Sequence, residues 1–497
     1  MKGMSKTQRN VLLTGILIIA IFLRFYHFTT TPPGLYPDEA MDGNNAVEAA
    51  ETNHFQVFYV EDNGREGLYV NIIAAFLKVW PVYEPWVIRL PAAVAGVLTV
   101  WGLYLLVAEL FGNGPGLLAA FLLATSFWGI IFSRIGFRAI LAPLALVFTL
   151  WLMIKAFRAA NKRAALLYAT LAGVIYGLGF YTYIAYRVTP ILFLLFIPFF
   201  RKLPGFWKRT ALFIIVTFIV AAPIGWYFAT NSGSFFGRTA EISVTSAANP
   251  LHDFAVNTAK ELLMFNYHGD YNWRQNVSGA PELFWPVGIL FVLGIVLSLY
   301  FIWRRARKKH ITAENEKLFS LFGVLLTFAW LIFGILPAAA SDEGIPHALR
   351  SILALAPALI FATLGGIWLY RVIKKHWSVP LAKALMVVFV VIVAAFSYYD
   401  YFVVWAQNPN VPGAFSANYV TIGQQINALP ASTPKYVVVN AGGVPVRGIP
   451  TPAETTMFIT HSFTTADAAA ANIHYLLPDQ TSSIPAGTPS ADIFSIN

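Results

Sequence analysis

The sequence predicts an all-α polytopic membrane protein, a bundle of about eleven transmembrane helices, from its composition, the length of its apolar runs and the placement of its basic residues. Of 497 residues, 57% are hydrophobic and 12% charged, against roughly 25% charged in an ordinary soluble domain. Apolar runs close to the roughly 20 residues that cross a bilayer recur along most of the chain, and inside lipid such runs must satisfy their backbone hydrogen bonds as helices. The net charge of +10 does not point to nucleic acid, because the basic residues sit in short clusters between apolar runs rather than along one exposed face. Cysteine is absent, which excludes disulfides, thiol nucleophiles and thiolate metal sites.

In chain order the predicted spans are 11–28, 89–110, 117–132, 140–157, 164–183, 188–200, 211–228, 283–303, 318–336, 351–370 and 384–404. The first follows Lys2, Lys6 and Arg9 without a small-residue cleavage site before Pro32, and reads as an uncleaved anchor. The sixth is short and carries Pro190 and Pro198, which suits a tilted or broken helix. With the N-terminus cytoplasmic, the clusters around Lys155–Arg163, Arg201–Arg209, Arg304–Lys309 and Arg371–Lys375 all fall on the cytoplasmic side. That agreement requires the run 68–80 to lie at the outer interface rather than cross.

The resulting organisation is a transmembrane catalytic module over residues 1–404 and an extracytoplasmic C-terminal region over 405–497. Within the module, 29–88 form a large first extracytoplasmic loop and 229–282 a second. Turn residues punctuate the C-terminal region around strand-like runs at 436–439 and 457–460, so a small β or α/β domain is expected there. The location is a plasma or inner cell membrane, with the site and the C-terminal domain outside.

Nine of the 24 acidic residues lie in the first outer loop. Among them Asp38 and Glu39 follow Tyr36-Pro37 and open a short helix expected over 40–51, which holds carboxylates near the membrane surface where one can take a proton from an acceptor hydroxyl or amine. Helix capping by Asp38 and a dipole role for Glu39 would use the same residues. Asp42, Glu48, Glu51, Glu61 and Asp62 read as solvated surface. Outside the cytoplasmic clusters ten basic residues are arginine, the side chain suited to bidentate phosphate recognition. Arg65, Arg134, Arg138, Arg187, Arg274 and Arg350 map to outer loops or outer helix ends. The stretch from Phe265 to Arg274, with His268, Asp270 and Trp273, combines aromatic faces and polar groups that suit a sugar, as does the stretch from Ser341 to Arg350 with His347. Both histidines keep a hydrogen-bonding and a catalytic reading. Asn276-Val277-Ser278 fits a glycosylation sequon.

Several of these pieces together resemble the GT-C glycosyltransferases of the protein O-mannosyltransferase and aminoarabinose-transferase type. They are Tyr36-Pro37-Asp38-Glu39-Ala40, Gly64-Arg65-Glu66-Gly67-Leu68-Tyr69, Ile88-Arg89-Leu90-Pro91, Phe132-Ser133-Arg134-Ile135 and Pro346-His347-Ala348-Leu349-Arg350. The resemblance covers roughly the first 400 residues. It implies that Asp38 is the catalytic base with Glu39 in support, that Arg65 touches the carrier phosphate, and that His347 and Arg350 belong to a loop facing the phosphate or the sugar. Read from their own positions, Arg134, Arg138 and Arg350 join Arg65 as candidates for the phosphate, and Glu66, His268, Asp270, Trp273, Arg274 and His347 are candidates for sugar or acceptor. Two departures are visible: Glu66-Gly67 replaces a common proline pair, and the Arg134–Arg138 stretch replaces an acidic residue, leaving Glu66 as the stand-in for a second carboxylate.

The activity implied is inverting transfer of a hexosyl or pentosyl group from a polyprenyl-phosphate-linked donor to a protein, lipid or cell-envelope glycan acceptor, with membrane lipids as surroundings and no nucleic-acid partner. Arginines can serve as the electrophile and no His/Asp/Glu spacing reads as a ligand set, so no cofactor and no metal is expected. Rival readings are a lipid-linked glycan transporter, an oligosaccharide ligase and a non-catalytic scaffold. Few charges lie mid-span and the charges gather on one outer surface, which favours a fixed one-sided site over a transport path.

Overall fold

The computed structural model describes residues 4–235, 243–246 and 249–497; Lys2 of the basic N-terminus lies outside them. Eight helices among the described residues are long and apolar enough to cross a membrane, starting with α1 (Lys6–Phe25). The other three expected spans are helical but short or interrupted. The third splits into Asn113–Ala124 and Phe127–Ile131, because Ser126 leaves the helix and caps the second piece through Gly129 N–H. The fifth is the 18-residue helix Lys162–Gly179, and the sixth is a succession of short turns from Ile184 to Phe200. Proline cannot donate to the preceding turn, so Pro190 and Pro198 sit where those turns restart.

The basic clusters gather at one end of the bundle, as the alternating topology requires. Arg158 reaches Glu109 at 2.9 Å, Arg209 donates to the carbonyls of Ala156 and Phe157, and Arg371 donates to the carbonyl of Glu314. The central spans Arg138–Arg158 and Ile352–His376 are 78% buried, whereas Phe206–Thr230 and Val379–Trp405 are 17% and 11% buried and leave their apolar sides outward. Outward-facing apolar side chains are the arrangement lipid stabilises.

At the opposite end lie the loops that build the site. Helix α2 (Pro37–Thr52) starts with proline at its first position, where no N–H is needed, and with Asp38 and Glu39 in the first turn, where the helix dipole favours negative charge. Its N-cap is Tyr36, so Asp38 is not the cap. A two-stranded hairpin follows, β1 (Phe58–Tyr59) and β2 (Arg65–Glu66), then α3 (Leu68–Leu77), too short to span and packed against α2 and α4 (Pro85–Phe111). Asp62, Asn63 and Gly64 all take positive φ in the hairpin turn, which Asn, Asp and Gly tolerate best.

The C-terminal region is α/β. A parallel three-stranded sheet places Lys435–Val439 between Ile473–Leu476 and Ile493–Ile496. The expected strand at 457–460 is instead part of the helix Glu454–Thr460, all seven residues of which are buried. A four-residue apolar run carries no period, and a helix following the Pro450–Pro452 turn buries it on all sides. Met41 of α2 belongs to the core of this region, packed with Val437, Val439 and Met457.

Candidate active site

Asp38 and Glu39 point in different directions because adjacent helical residues are about 100° apart. Glu39 is fully buried. It pairs with Arg89 at 2.9 Å and accepts Gly136 N–H at 2.6 Å. A side chain at Gly136 would press on Ile88 and the Glu39 carboxylate. Glu39 is therefore a strut that fixes α2 to α4 and to the Arg134–Arg138 stretch, not a group open to substrate.

Asp38 lines a polar cavity of about 120 Å³ together with Asp42, Asp62, Arg65, Arg138 and Tyr183. Arg65 is buried and committed on several sides: it meets Asp42 at 2.9 Å, ion-pairs with Asp62, and donates to the carbonyl of Asp38 at 3.1 Å. Burial opposes its charge, but Asp42, Asp62 and Asp38 outweigh burial and hold the guanidinium protonated. Burial pushes the Asp42 carboxyl above the ordinary carboxylate range, and Arg65 and Arg138 offset part of that rise. Asp42 and Asp62, expected on solvated surface, instead clamp Arg65, and Arg65 positions the first turn of α2.

Arg138 donates to Glu66 at 3.1 Å, and the other Glu66 oxygen takes Arg187 at 3.2 Å. Arg187 in turn lines an apolar groove of about 980 Å³ walled by aromatic and aliphatic side chains of the turns at Ile184–Phe200 and of helix Phe206–Thr230. Glu66 thus ties the polar cavity to the mouth of the groove through two arginines.

Arg134 lies away from the cavity. It is fully buried and commits four of its five N–H donors, to the carbonyls of Leu23, His27 and Thr31 and to the Tyr401 hydroxyl, so it is a structural tie rather than a group presented to a phosphate. Arg350 turns toward Glu343. Arg274 stacks on Tyr36, 3.6 Å from its ring centre, two residues from Asp38. Asp270 is buried and accepts the N–H groups of Asn272 and Ala348, which joins the two sugar-like loops. Glu261 accepts the N–H of His347 at 2.8 Å and the Ser351 hydroxyl at 2.6 Å. Burial pushes Glu261 up to about 7 and Asp270 up to about 6. His347 is half-buried beside Asp270, at 3.8 Å. Trp273 accepts the Trp405 indole N–H through its carbonyl, and His268 is exposed against Tyr267, neither lining the cavity. Asn276 is buried with its amide on the carbonyl of Ala280, so the sequon is not presented for modification.

The sequence does not single out Tyr183 and marks Arg187 only as one of several arginines at helix ends. The two flank the break between the fifth and sixth expected spans, and a polar residue where a span breaks is the signal that could have found them.

A membrane bundle whose first long loop carries a carboxylate to a polar cavity beside an apolar groove has the architecture of the GT-C fold, and comparison with known proteins bears out that fold. Residues 68–227 match the family model described as dolichyl-phosphate-mannose-protein mannosyltransferase. Among solved structures, the oligosaccharyltransferase AglB from Archaeoglobus fulgidus, in complex with an inhibitory peptide and a dolichol-phosphate, superposes with a TM-score of 0.55 at 13% identity, covering 95% of this chain and 70% of that one. ArnT from Cupriavidus metallidurans bound to undecaprenyl phosphate gives 0.53 at 13% identity, covering 95% and 90%. The chain spans 64% of the apo Archaeoglobus oligosaccharyltransferase, with a TM-score of 0.53 at 15% identity. No curated protein matches it by sequence.

Proposed function

We propose that this chain is a membrane glycosyltransferase that moves a sugar from a polyprenyl-phosphate carrier to an acceptor outside the cytoplasm. The observation that carries this reading is the continuity from apolar groove through Arg187, Glu66 and Arg138 to the cavity that Asp38 lines. A polyprenyl tail fits the groove, its phosphate meets the two arginines, and the sugar extends toward Asp38. The similarity to dolichol-phosphate-bound AglB and undecaprenyl-phosphate-bound ArnT supports the same class of donor.

The reaction is a single displacement. Asp38 takes the acceptor's proton, the acceptor oxygen or nitrogen bonds to the anomeric carbon, and the bond from that carbon to the phosphate oxygen breaks. The electron pair leaves with polyprenyl phosphate, whose charge Arg138 and Arg187 neutralise. One displacement inverts the anomeric centre. On this reading the arginines do the work of a metal electrophile. Arg65 positions Asp38 rather than touching phosphate, and Arg274, His347 and Asp270 shape the acceptor side. The basic end of the bundle is cytoplasmic and the site extracytoplasmic, because positive residues are retained inside.

The test is transfer of radiolabelled sugar from a panel of polyprenyl-phosphate sugars to membrane and envelope fractions, comparing wild type with Asp38→Asn at matched expression. Transfer by wild type alone supports the reading. Equal transfer by both removes Asp38 from the mechanism, and no transfer with all donors intact favours the transporter.

A further inference from the structure

The seam between α2 and the C-terminal region holds a second cluster of chemically active side chains. Glu51 in the last turn of α2, His461 at the end of helix Glu454–Thr460 and Asp467 in helix Thr465–Ala470 each offer one ligand atom, and the three atoms lie within 4.8 Å of one another. We propose that these residues form a divalent-metal site, suited to Zn²⁺, that clips the C-terminal region to α2.

The imidazole is the best-placed member. His461 takes a left-handed backbone conformation, φ 50°, as it ends its helix. Its ring stacks on Tyr83 with centroids 4.2 Å apart and planes 11° from parallel, which orients Nε2 toward Glu51 Oε1 at 2.6 Å. Zinc bonds of about 2.0–2.1 Å in a tetrahedron place ligand atoms roughly 3.3 Å apart. The His461–Glu51 contact must open by less than about 1 Å and the widest separation must close by at most about 1.5 Å to reach that spacing. Glu51 is exposed and can rotate, and Asp467 turns about the bond that its carboxylate accepts from the Thr464 hydroxyl.

One nitrogen and two carboxylate oxygens select against Mg²⁺ and Ca²⁺, which take six or more oxygens, and leave the fourth position to water. Solvent reaches the site, since the His461 and Glu51 side chains are 32% and 41% exposed. The separation of 410 positions between Glu51 and His461 hides this constellation from any reading of ligand spacing along the chain. From Asp38 to Glu51 is thirteen residues of helix, about 20 Å, so the site stands apart from the reacting centre and does not depend on the proposed reaction.

The test uses the full-length chain without a polyhistidine tag, in detergent, stripped with a chelator and titrated calorimetrically with Zn²⁺ alone. Because the chain has no cysteine, thiolates cannot supply background binding. The expected result is one Zn²⁺ per chain, with affinity at least about 100-fold weaker in His461→Ala and Glu51→Gln. Glu48→Gln, which breaks the neighbouring 2.6 Å pair with Arg447, should bind as wild type does. Circular dichroism verifies folding, and if His461→Ala fails to fold, Asp467→Asn poses the same question. No saturable zinc uptake by wild type, or equal uptake by a folded ligand variant, overturns the proposal and leaves a His461–Glu51 hydrogen bond.

Discussion

Asp38 and Glu39 are neighbours in sequence with opposite surroundings, and two substitutions of the same chemistry separate their roles. On the proposed mechanism Asp38→Asn keeps shape and removes the base, so kcat should fall about a hundredfold or more while the melting temperature in detergent stays near wild type. Glu39→Gln leaves Arg89 charged and buried without its partner, a change that costs about 3–5 kcal/mol of stability. It should appear as a lower melting temperature before it appears as slower chemistry. The arginines divide in the same way. On the proposed mechanism Arg138→Ala removes a donor to the charge that develops on the leaving phosphate and should cost about 3–4 kcal/mol in kcat, whereas Arg134→Ala strips donors from three backbone carbonyls and should chiefly destabilise. A set of kcat and melting measurements on these four variants in which Arg134→Ala alone lost catalysis would reverse the assignment.

At the scale of elements, the helix Pro250–Leu263 and the loops after it converge on buried carboxyls with different titration from surface acids. Glu261 is raised from an ordinary 4.5 to about 7, chiefly by burial. A carboxyl whose folded pKa exceeds its unfolded one contributes stability that is fully present below the unfolded value and lost as pH rises through the folded value. For Glu261 that window runs from about 4.5 to about 7, worth on the order of 3 kcal/mol. Melting curves of wild type should therefore decline across this window more steeply than those of Glu261→Gln; parallel curves would remove Glu261 from the pH response. Hydropathy revealed the crossing helices, because a span needs length and apolarity and both are local. What it missed depends on partners far along the chain. Asp42 looks like surface until Arg65 folds onto it, and the 457–460 run becomes helical because α2 covers it. Ser126 interrupts a span that apolarity alone draws as continuous.

For the whole molecule, the chief consequence is that the C-terminal region is not detachable. It buries Met41 and receives the Asn44 amide on Glu454 at 2.7 Å, and Thr455 donates to the carbonyl of Leu35 at 2.8 Å, just before the helix turn that carries Asp38. Arg447 adds pairs to Glu48 and Glu61 at 2.6 and 2.9 Å, joining α2 to the hairpin that carries Arg65 and Glu66. A chain ending near residue 405 would expose the face of α2 around Met41 and Gly43 and leave Asn44 without its partner, so α2 should lose protection from proteolysis. Transfer should then fall for every acceptor alike, since the defect lies in presenting Asp38. An acceptor-recognition module would behave otherwise: its removal would spare transfer to small acceptors and abolish it for large ones. Limited proteolysis of α2 alongside transfer to a short and a long acceptor distinguishes the two. Protected α2 with selective loss for the long acceptor would show that the C-terminal region reads the acceptor rather than holding the catalytic helix in place.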